Sequence, residues 1–181
     1  MLQRPSFDVV VSDCDNITLL PDSGADSRAK CASYETMSKT MQSTLSPEIK
    51  QRMFAASLAA RSQAHAPYSQ FAVGAAVLDE YGNIHSGCNI ENAAYPQGWC
   101  AETTALGAMV MAGAKRALAV LISGPGPDVI TPCGGCRQKL REFGDEKLLV
   151  IAADPGGIRQ SWSLGQLLPA SFGPDHLKNQ A

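Results

Sequence analysis

A charge excess of either sign is missing from this chain. Its 15 Lys and Arg face 17 Asp and Glu over 181 residues, a formal charge of −2. Four basic and six acidic residues fall within the first 40, so residues 41–181 hold eleven of each. Binding driven by nucleic-acid phosphates is therefore disfavoured, and no nucleic-acid partner is expected. Long apolar runs are missing as well. Those at 71–78 and 118–122 fall far short of the roughly 18–20 residues of a membrane-crossing helix. The N-terminus has no secretory pattern, because Asp8 interrupts the short apolar patch at 7–11. Asp8, Asp13, Asp15, Asp22 and Asp26 make it acidic, where a transit peptide is acid-poor. A cytoplasmic protein without a membrane partner is expected. Histidine is scarce, and His65, His85 and His176 share no metal-ligand spacing. Six cysteines are present, and in a reducing compartment they suit metal ligation or catalysis better than disulfides.

An apolar content of 45% is enough for one domain with a sizeable core. Residues 1–44 are polar, rich in Ser, Asp and Thr, and lack a helical or alternating period. They are expected to be a flexible leader, with Met37 a candidate native start. The domain then spans 45–181. Ser46 is an N-cap with Pro47 at the first helical position, and Ile49, Met53, Ala56 and Ala60 make one apolar stripe. The helix ends before Pro67. Residues 71–78 read as a buried strand, Glu80-Tyr81-Gly82-Asn83 as a turn, and 84–91 as the second strand of a hairpin. A helix over 100–112, stopped by Gly113, is apolar nearly all round and expected to be buried. A strand over 118–122, a helix over 133–143 stopped by Gly144, a strand over 148–152 and a short helix over 163–168 complete an alternating α/β pattern.

Pro132-Cys133-Gly134-Gly135-Cys136 sets two thiols three positions apart at a helix start, on one face of it. Free N–H groups and the positive helix end favour the thiolate that metal binding needs. Alone, the motif is only moderately specific and also fits a structural zinc half-site or a redox pair. Trp99-Cys100-Ala101-Glu102 adds a third cysteine at another helix start. Three thiolates leave a tetrahedral zinc one position for water, as in a catalytic site, whereas a structural site is closed by a fourth ligand. Glu102, two residues after Cys100, can stand beside that water without ligating the metal. Asn89 and Glu91 point to one strand face while Ile84, Cys88 and Ile90 point to the other. An amide and a carboxylate side by side can hold sugar hydroxyls.

Together these residues resemble the zinc-dependent cytidine deaminase superfamily, with its pattern of His or Cys, any residue, Glu, then Pro-Cys-x-x-Cys. Cys88-Asn89-Ile90-Glu91-Asn92-Ala93, Ala94-Tyr95-Pro96, Cys136-Arg137-Gln138, Leu167-Leu168-Pro169 and Ser171-Phe172-Gly173-Pro174 are similar to the small homotetrameric members. The likeness covers residues 46–177. It implies a three-layer α/β/α fold with a mixed central sheet, and a hydrolase of pyrimidine salvage converting cytidine and deoxycytidine to uridine and deoxyuridine. It further implies one Zn2+ per subunit on Cys100, Cys133 and Cys136, with Glu102 as the proton shuttle. Asn89 and Glu91 would hold the ribose, Phe71 would pack on the pyrimidine, and the backbone around Ala101 would contact the base. Ala93, Tyr95 and Phe172 would reach a neighbouring subunit's pocket in a homotetramer with shared sites.

One position departs from the pattern. The family usually has Arg directly after the catalytic Glu, and here Thr103 stands there. A threonine hydroxyl can bond to sulfur but brings no cation, so the charge of a three-thiolate zinc needs another source, for which Arg137 is the candidate. Competing expectations are a disulfide oxidoreductase using Cys133 and Cys136, a zinc-stabilised binding module closed by Cys88 or His85, and a deaminase of another amino-nucleoside. The first leaves Cys100, Glu102 and the Asn89/Glu91 pair without a task.

Overall fold

The computed structural model describes residues 45–126 and 128–177. The expected leader, with Cys14, Cys31 and Met37, lies outside them. The described elements run α1 (Pro47–Arg61), β1 (Gly74–Asp79), β2 (Ile84–Cys88), α2 (Ala101–Met111), β3 (Ala117–Ser123), α3 (Gly134–Phe143), β4 (Leu149–Asp154), β5 (Gly157–Ser163) and α4 (Leu164–Leu167), with 3-10 turns at Tyr95–Gln97 and Pro174–His176.

The five strands form one sheet in the order β2-β1-β3-β4-β5. β1 pairs antiparallel with β2 and with β3, β3 and β4 are parallel, and β5 returns antiparallel to β4. The sheet is mixed, as expected. Side-chain alternation splits the core into two layers. Ala75, Val77, Val120, Ile122 and Val150 pack with Ala101, Ala105, Leu106, Met109 and Leu140 of α2 and α3. Ala76, Leu78, Ala119, Leu121 and Ile151 pack with Met53 of α1. The sheet therefore lies between α1 on one face and α2 and α3 on the other. β1 and β3, covered on both sides, are buried at every position, which is why they read as continuous apolar runs.

Local chemistry sets the element ends. Ser46 caps α1 by accepting the Ile49 N–H at 3.3 Å, worth about 1 kcal/mol. The Asp79 carboxylate accepts N–H bonds from Tyr81 and Asn83, both at 2.8 Å, closing the β1–β2 turn around Gly82 at φ +86°. Gly113, at φ +87°, ends α2 as expected of a left-handed stop. A Cβ at Gly74 would come 2.0 Å from the Ser57 carbonyl, so α1 rests directly on β1.

Four sequence expectations change. Residues 71–73 have no regular structure, and the ladder begins at Gly74. β2 stops at Cys88, leaving Asn89 and Glu91 in an irregular segment. α2 is buried on one side only: Gly107, Ala108, Val110 and Met111 are exposed, Met111 at 87%. Finally, β5 was absent from the expectation because its Ile-Arg-Gln-Ser-Trp-Ser stretch is polar. It is an edge strand that needs only one neighbour for its backbone bonds.

Candidate active site

Two helix starts converge on the same point. Cys100 is the N-cap of α2 and Cys133 the N-cap of α3, both with extended backbone, and Cys136 lies in the first turn of α3. The expected helices thus begin one residue later, and each cysteine sits where backbone N–H groups lack helical acceptors. The Cys100, Cys133 and Cys136 sulfurs all lie within 4.8 Å of one another, with Cys100 and Cys133 at 3.7 Å. For Zn–S bonds of about 2.3 Å, tetrahedral geometry places sulfurs about 3.8 Å apart. The donor set therefore fits zinc. Cys88 is not in the cluster; its thiol donates to the Gln63 carbonyl at 3.5 Å. His85 bonds Asp79 at 2.8 Å, so neither of the two suggested closing ligands is engaged with the cluster.

The thiols share charge. A hydrogen bond from Cys136 draws Cys100 down to about 6, with Cys133 and the Lys139 charge assisting and burial opposing. The same bond, together with burial and the Glu102 charge, pushes Cys136 up. The arrangement thus favours the thiolate at Cys100, and a divalent cation favours deprotonation of the others.

Glu102 occupies the second position of α2, only 5% exposed. Burial pushes its carboxyl above the usual range, and the Cys100 charge adds to this against the pull of its own backbone N–H. A buried carboxyl held at a helix start next to three thiols is suited to accept and return a proton. Ala101, the residue between, is buried at the first helical position.

Substrate-side residues come together through two isolated bridges. Ile90 pairs with Trp99 through reciprocal N–H bonds of 2.8 Å and with His65 on its other side. This ties the segment carrying Asn89 and Glu91 to the residue preceding Cys100. The Asn89 amide clamps the incoming chain, accepting from the Val73 N–H at 2.8 Å and donating to the Phe71 carbonyl at 2.9 Å. Phe71 is thereby fixed and 42% exposed. Glu91 accepts the Tyr68 N–H at 2.8 Å and the Ser69 N–H at 3.2 Å, and also the Ser69 hydroxyl. These bonds, the Ser69 hydroxyl foremost, hold its carboxyl below the usual range despite some burial, so it is an ionised acceptor. A cleft of about 390 Å³ is lined by Tyr68, Ser69, Glu91, Asn92, Tyr95 and Gly98.

Ala93, Tyr95 and Phe172 are exposed. Tyr95 meets Tyr68 edge-on at 6.0 Å, and Phe172 stacks on His176 at 5.1 Å while its carbonyl accepts from Gln138. Arg137 is engaged elsewhere than with the thiols. It donates to the Pro132 carbonyl at 2.8 Å, the Leu167 carbonyl at 2.7 Å and the Thr131 hydroxyl at 2.8 Å, pinning the loop before Cys133 to the C-terminal segment. Thr103 is buried with its hydroxyl 3.6 Å from the Cys136 sulfur, and Lys139 donates to that hydroxyl at 3.1 Å. Sequence reasoning missed Lys139. Its position three residues after Cys136, hence on the same helix face, was the available signal.

Comparison with known proteins places this arrangement. The family model of the cytidine and deoxycytidylate deaminase zinc-binding region matches residues 47–152. Cytidine deaminase of Sporosarcina psychrophila is 41% identical over 133 residues, covering 72% of this chain and 96% of that protein. Cytidine deaminase of Mycobacterium tuberculosis strain H37Rv is 41% identical over 121 residues, 67% of this chain and 87% of that one. The crystal structure of cytidine deaminase from Burkholderia pseudomallei superposes with a TM-score of 0.63 at 41% identity, covering 67% of this chain and 98% of that chain.

Proposed function

The chain belongs to the cytidine and deoxycytidylate deaminase family, and from that premise we propose that it hydrolyses cytidine and deoxycytidine to uridine and deoxyuridine, releasing ammonia in pyrimidine salvage. The observation that carries this is the meeting of three thiols at two helix N-termini beside the buried Glu102. Cys100, Cys133 and Cys136 hold one Zn2+, which when bound supplies the Lewis acidity that makes water a nucleophile near neutral pH.

Every other part of the chemistry falls to the chain. Glu102 accepts a proton from the attacking water and delivers it to the ring nitrogen beside the amine-bearing carbon. It then takes the remaining proton of that water from the newly added hydroxyl and passes it to the departing amine, so that one water is consumed and one ammonia leaves. Its raised affinity for a proton suits both directions of transfer. Glu91 and the free hydrogen-bonding capacity of Asn89 take the ribose hydroxyls, Phe71 packs on the pyrimidine, and the backbone at Ala101 meets the base. Charged and polar groups fixed before substrate arrives avoid reorganisation during the reaction.

Residues 45–181 make up the deaminase domain, with 1–44 outside it. We further place four copies in a homotetramer in which Ala93, Tyr95 and Phe172 complete a neighbour's pocket. The exposed apolar side of α2 at Val110 and Met111, and exposed Tyr95 and Phe172, support association. Three reduced thiols as ligands support a cytoplasmic location, where thiols persist.

One experiment tests the reading: ultraviolet turnover of cytidine and deoxycytidine, with metal content and light-scattering mass, for the wild-type protein and Glu102→Gln. The wild type should yield the uracil nucleosides as a tetramer with about one zinc per chain. Glu102→Gln should keep the zinc and lose at least about 10²-fold in kcat. A zinc-loaded Glu102→Gln with near-normal turnover would remove Glu102 from the mechanism, and a monomer mass would remove the shared site.

A further inference from the structure

Three thiolates around one Zn2+ leave one excess negative charge, which weakens the pull of the cation on water. The two helix N-termini offset part of it. Of the cations on α3, Arg137 is committed to the Pro132 and Leu167 carbonyls and the Thr131 hydroxyl. Arg141 is committed to Ser171, Gly144 and Asp175. Lys139 alone among these bonds toward the cysteines, at 3.1 Å from the Thr103 hydroxyl oxygen.

The direction of the bonds follows from the groups. An ammonium only donates, so the Thr103 oxygen accepts from Lys139 and keeps its single proton for another acceptor. That acceptor is the Cys136 sulfur at 3.6 Å, which as a metal-bound thiolate has no proton of its own. A hydroxyl polarised by an ammonium is a stronger donor than a free one. Trp99 holds the other side of the cation, its ring centroid 5.5 Å from the Lys139 nitrogen, within cation–π range. The Lys139 side chain is exposed, so these two contacts, rather than burial, fix the ammonium.

Resting on the deaminase reading above, we propose that Lys139 is a positioning residue that, through the Thr103 hydroxyl, draws negative charge from the Cys136 thiolate and so offsets the excess charge of the three-thiolate site. Thr103 and Lys139 together do what a single cationic side chain at position 103 could do alone. Lys139 touches neither substrate nor metal and acts only through Thr103 and Cys136.

The test uses the full-length protein loaded with Co2+, whose thiolate-to-metal charge-transfer band reports electron density on sulfur, alongside steady-state kinetics of the zinc form. Lys139→Met should move the band to lower energy. It should also lower kcat about three- to tenfold, with KM for cytidine held within about twofold, the scale of one screened charge acting through a polarised bond. Lys139→Arg should restore both. Thr103→Val should shift the band as Lys139→Met does, although the ammonium is still present, while Thr103→Ser should not. A band unmoved in both Lys139→Met and Thr103→Val overturns the proposal. A fall in kcat without a band shift does so too, assigning Lys139 only to the packing of Trp99. If wild-type protein carries metal and fails to deaminate cytidine, the deaminase reading fails instead, and the band positions still decide the charge relay.

Discussion

Gly87 is the position at which a single methyl group should separate the fold from the chemistry. It lies in β2 with no room above it. An added Cβ would come 2.5 Å from the Ala105 nitrogen, 2.6 Å from the Thr104 Cβ and 2.8 Å from the Thr104 carbonyl carbon. Two of these three atoms are backbone of α2, so no rotamer change relieves the contact. Ordinary van der Waals separation requires α2 to retreat by about 0.9 Å, or β2 to bend away. The Ala105 nitrogen is within one helical turn and a half of Cys100 and Glu102, so a retreat carries both away from Cys133 and Cys136 on α3. Gly87→Ala should cost about 2–3 kcal/mol from overpacking, a fall in Tm on the order of 5–10 °C for a domain of this size. The zinc-loaded variant should still lose about 10²-fold in kcat/KM at a temperature where it is fully folded, because a misplacement near 1 Å is enough to do so. Thermal unfolding by circular dichroism and turnover at 15 °C measure the two effects separately. Wild-type values for both would show that β2 and α2 accommodate the methyl, and the close packing would then have no part in placing the site.

Two other outcomes test smaller pieces of the structure. Burial pushes the Asp79 carboxyl up, but bonds from His85, from the Asn83 backbone and side chain and from the Tyr81 N–H outweigh it and hold it below the usual range. A depressed folded-state value means that the stability it contributes is complete above the unfolded value of about 3.9 and is lost as pH falls through the folded value. The urea midpoint of wild type should therefore exceed that of Asp79→Asn at about pH 5 and above. The gap should close below about pH 4, and a gap unchanged at pH 3 would contradict the assignment. Cys88→Ala, which removes a thiol bonded to the Gln63 carbonyl, should keep about one zinc per chain, and loss of zinc would make Cys88 the closing ligand of a structural site.

Much of the site was legible because the chemistry is carried by short-range patterns. Ser46-Pro47 announces α1, Gly113 ends α2, and Cys100-Ala101-Glu102 and the Cys-x-x-Cys pair mark helix starts, since caps and spacing act within one turn. Errors arose where a neighbour in space decides. β5 is polar and becomes a strand only because the open edge of β4 offers its backbone a partner. The segment 71–73 has strand-like composition, yet its backbone bonds go to Asn89, through both its side chain and its N–H, and to the side chains of Arg61 and Ser69 rather than to a continuous ladder. α2 is apolar nearly all round, and only the packed arrangement reveals which side, that of Val110 and Met111, is left open.

The sequence by itself determined which atoms can do the work: three thiols, one carboxyl two residues from the first of them, and an amide and a carboxylate two residues apart. Those identities are local and survive any arrangement of the chain. Tertiary structure alone decided that residues 33 positions apart, Cys100 and Cys133, bring their sulfurs to 3.7 Å, and that the cation facing this cluster is Lys139 rather than Arg137. Both choices depend on how α2 and α3 pack against one side of the sheet, and packing between helices is set by side-chain volumes and close approach across the whole core.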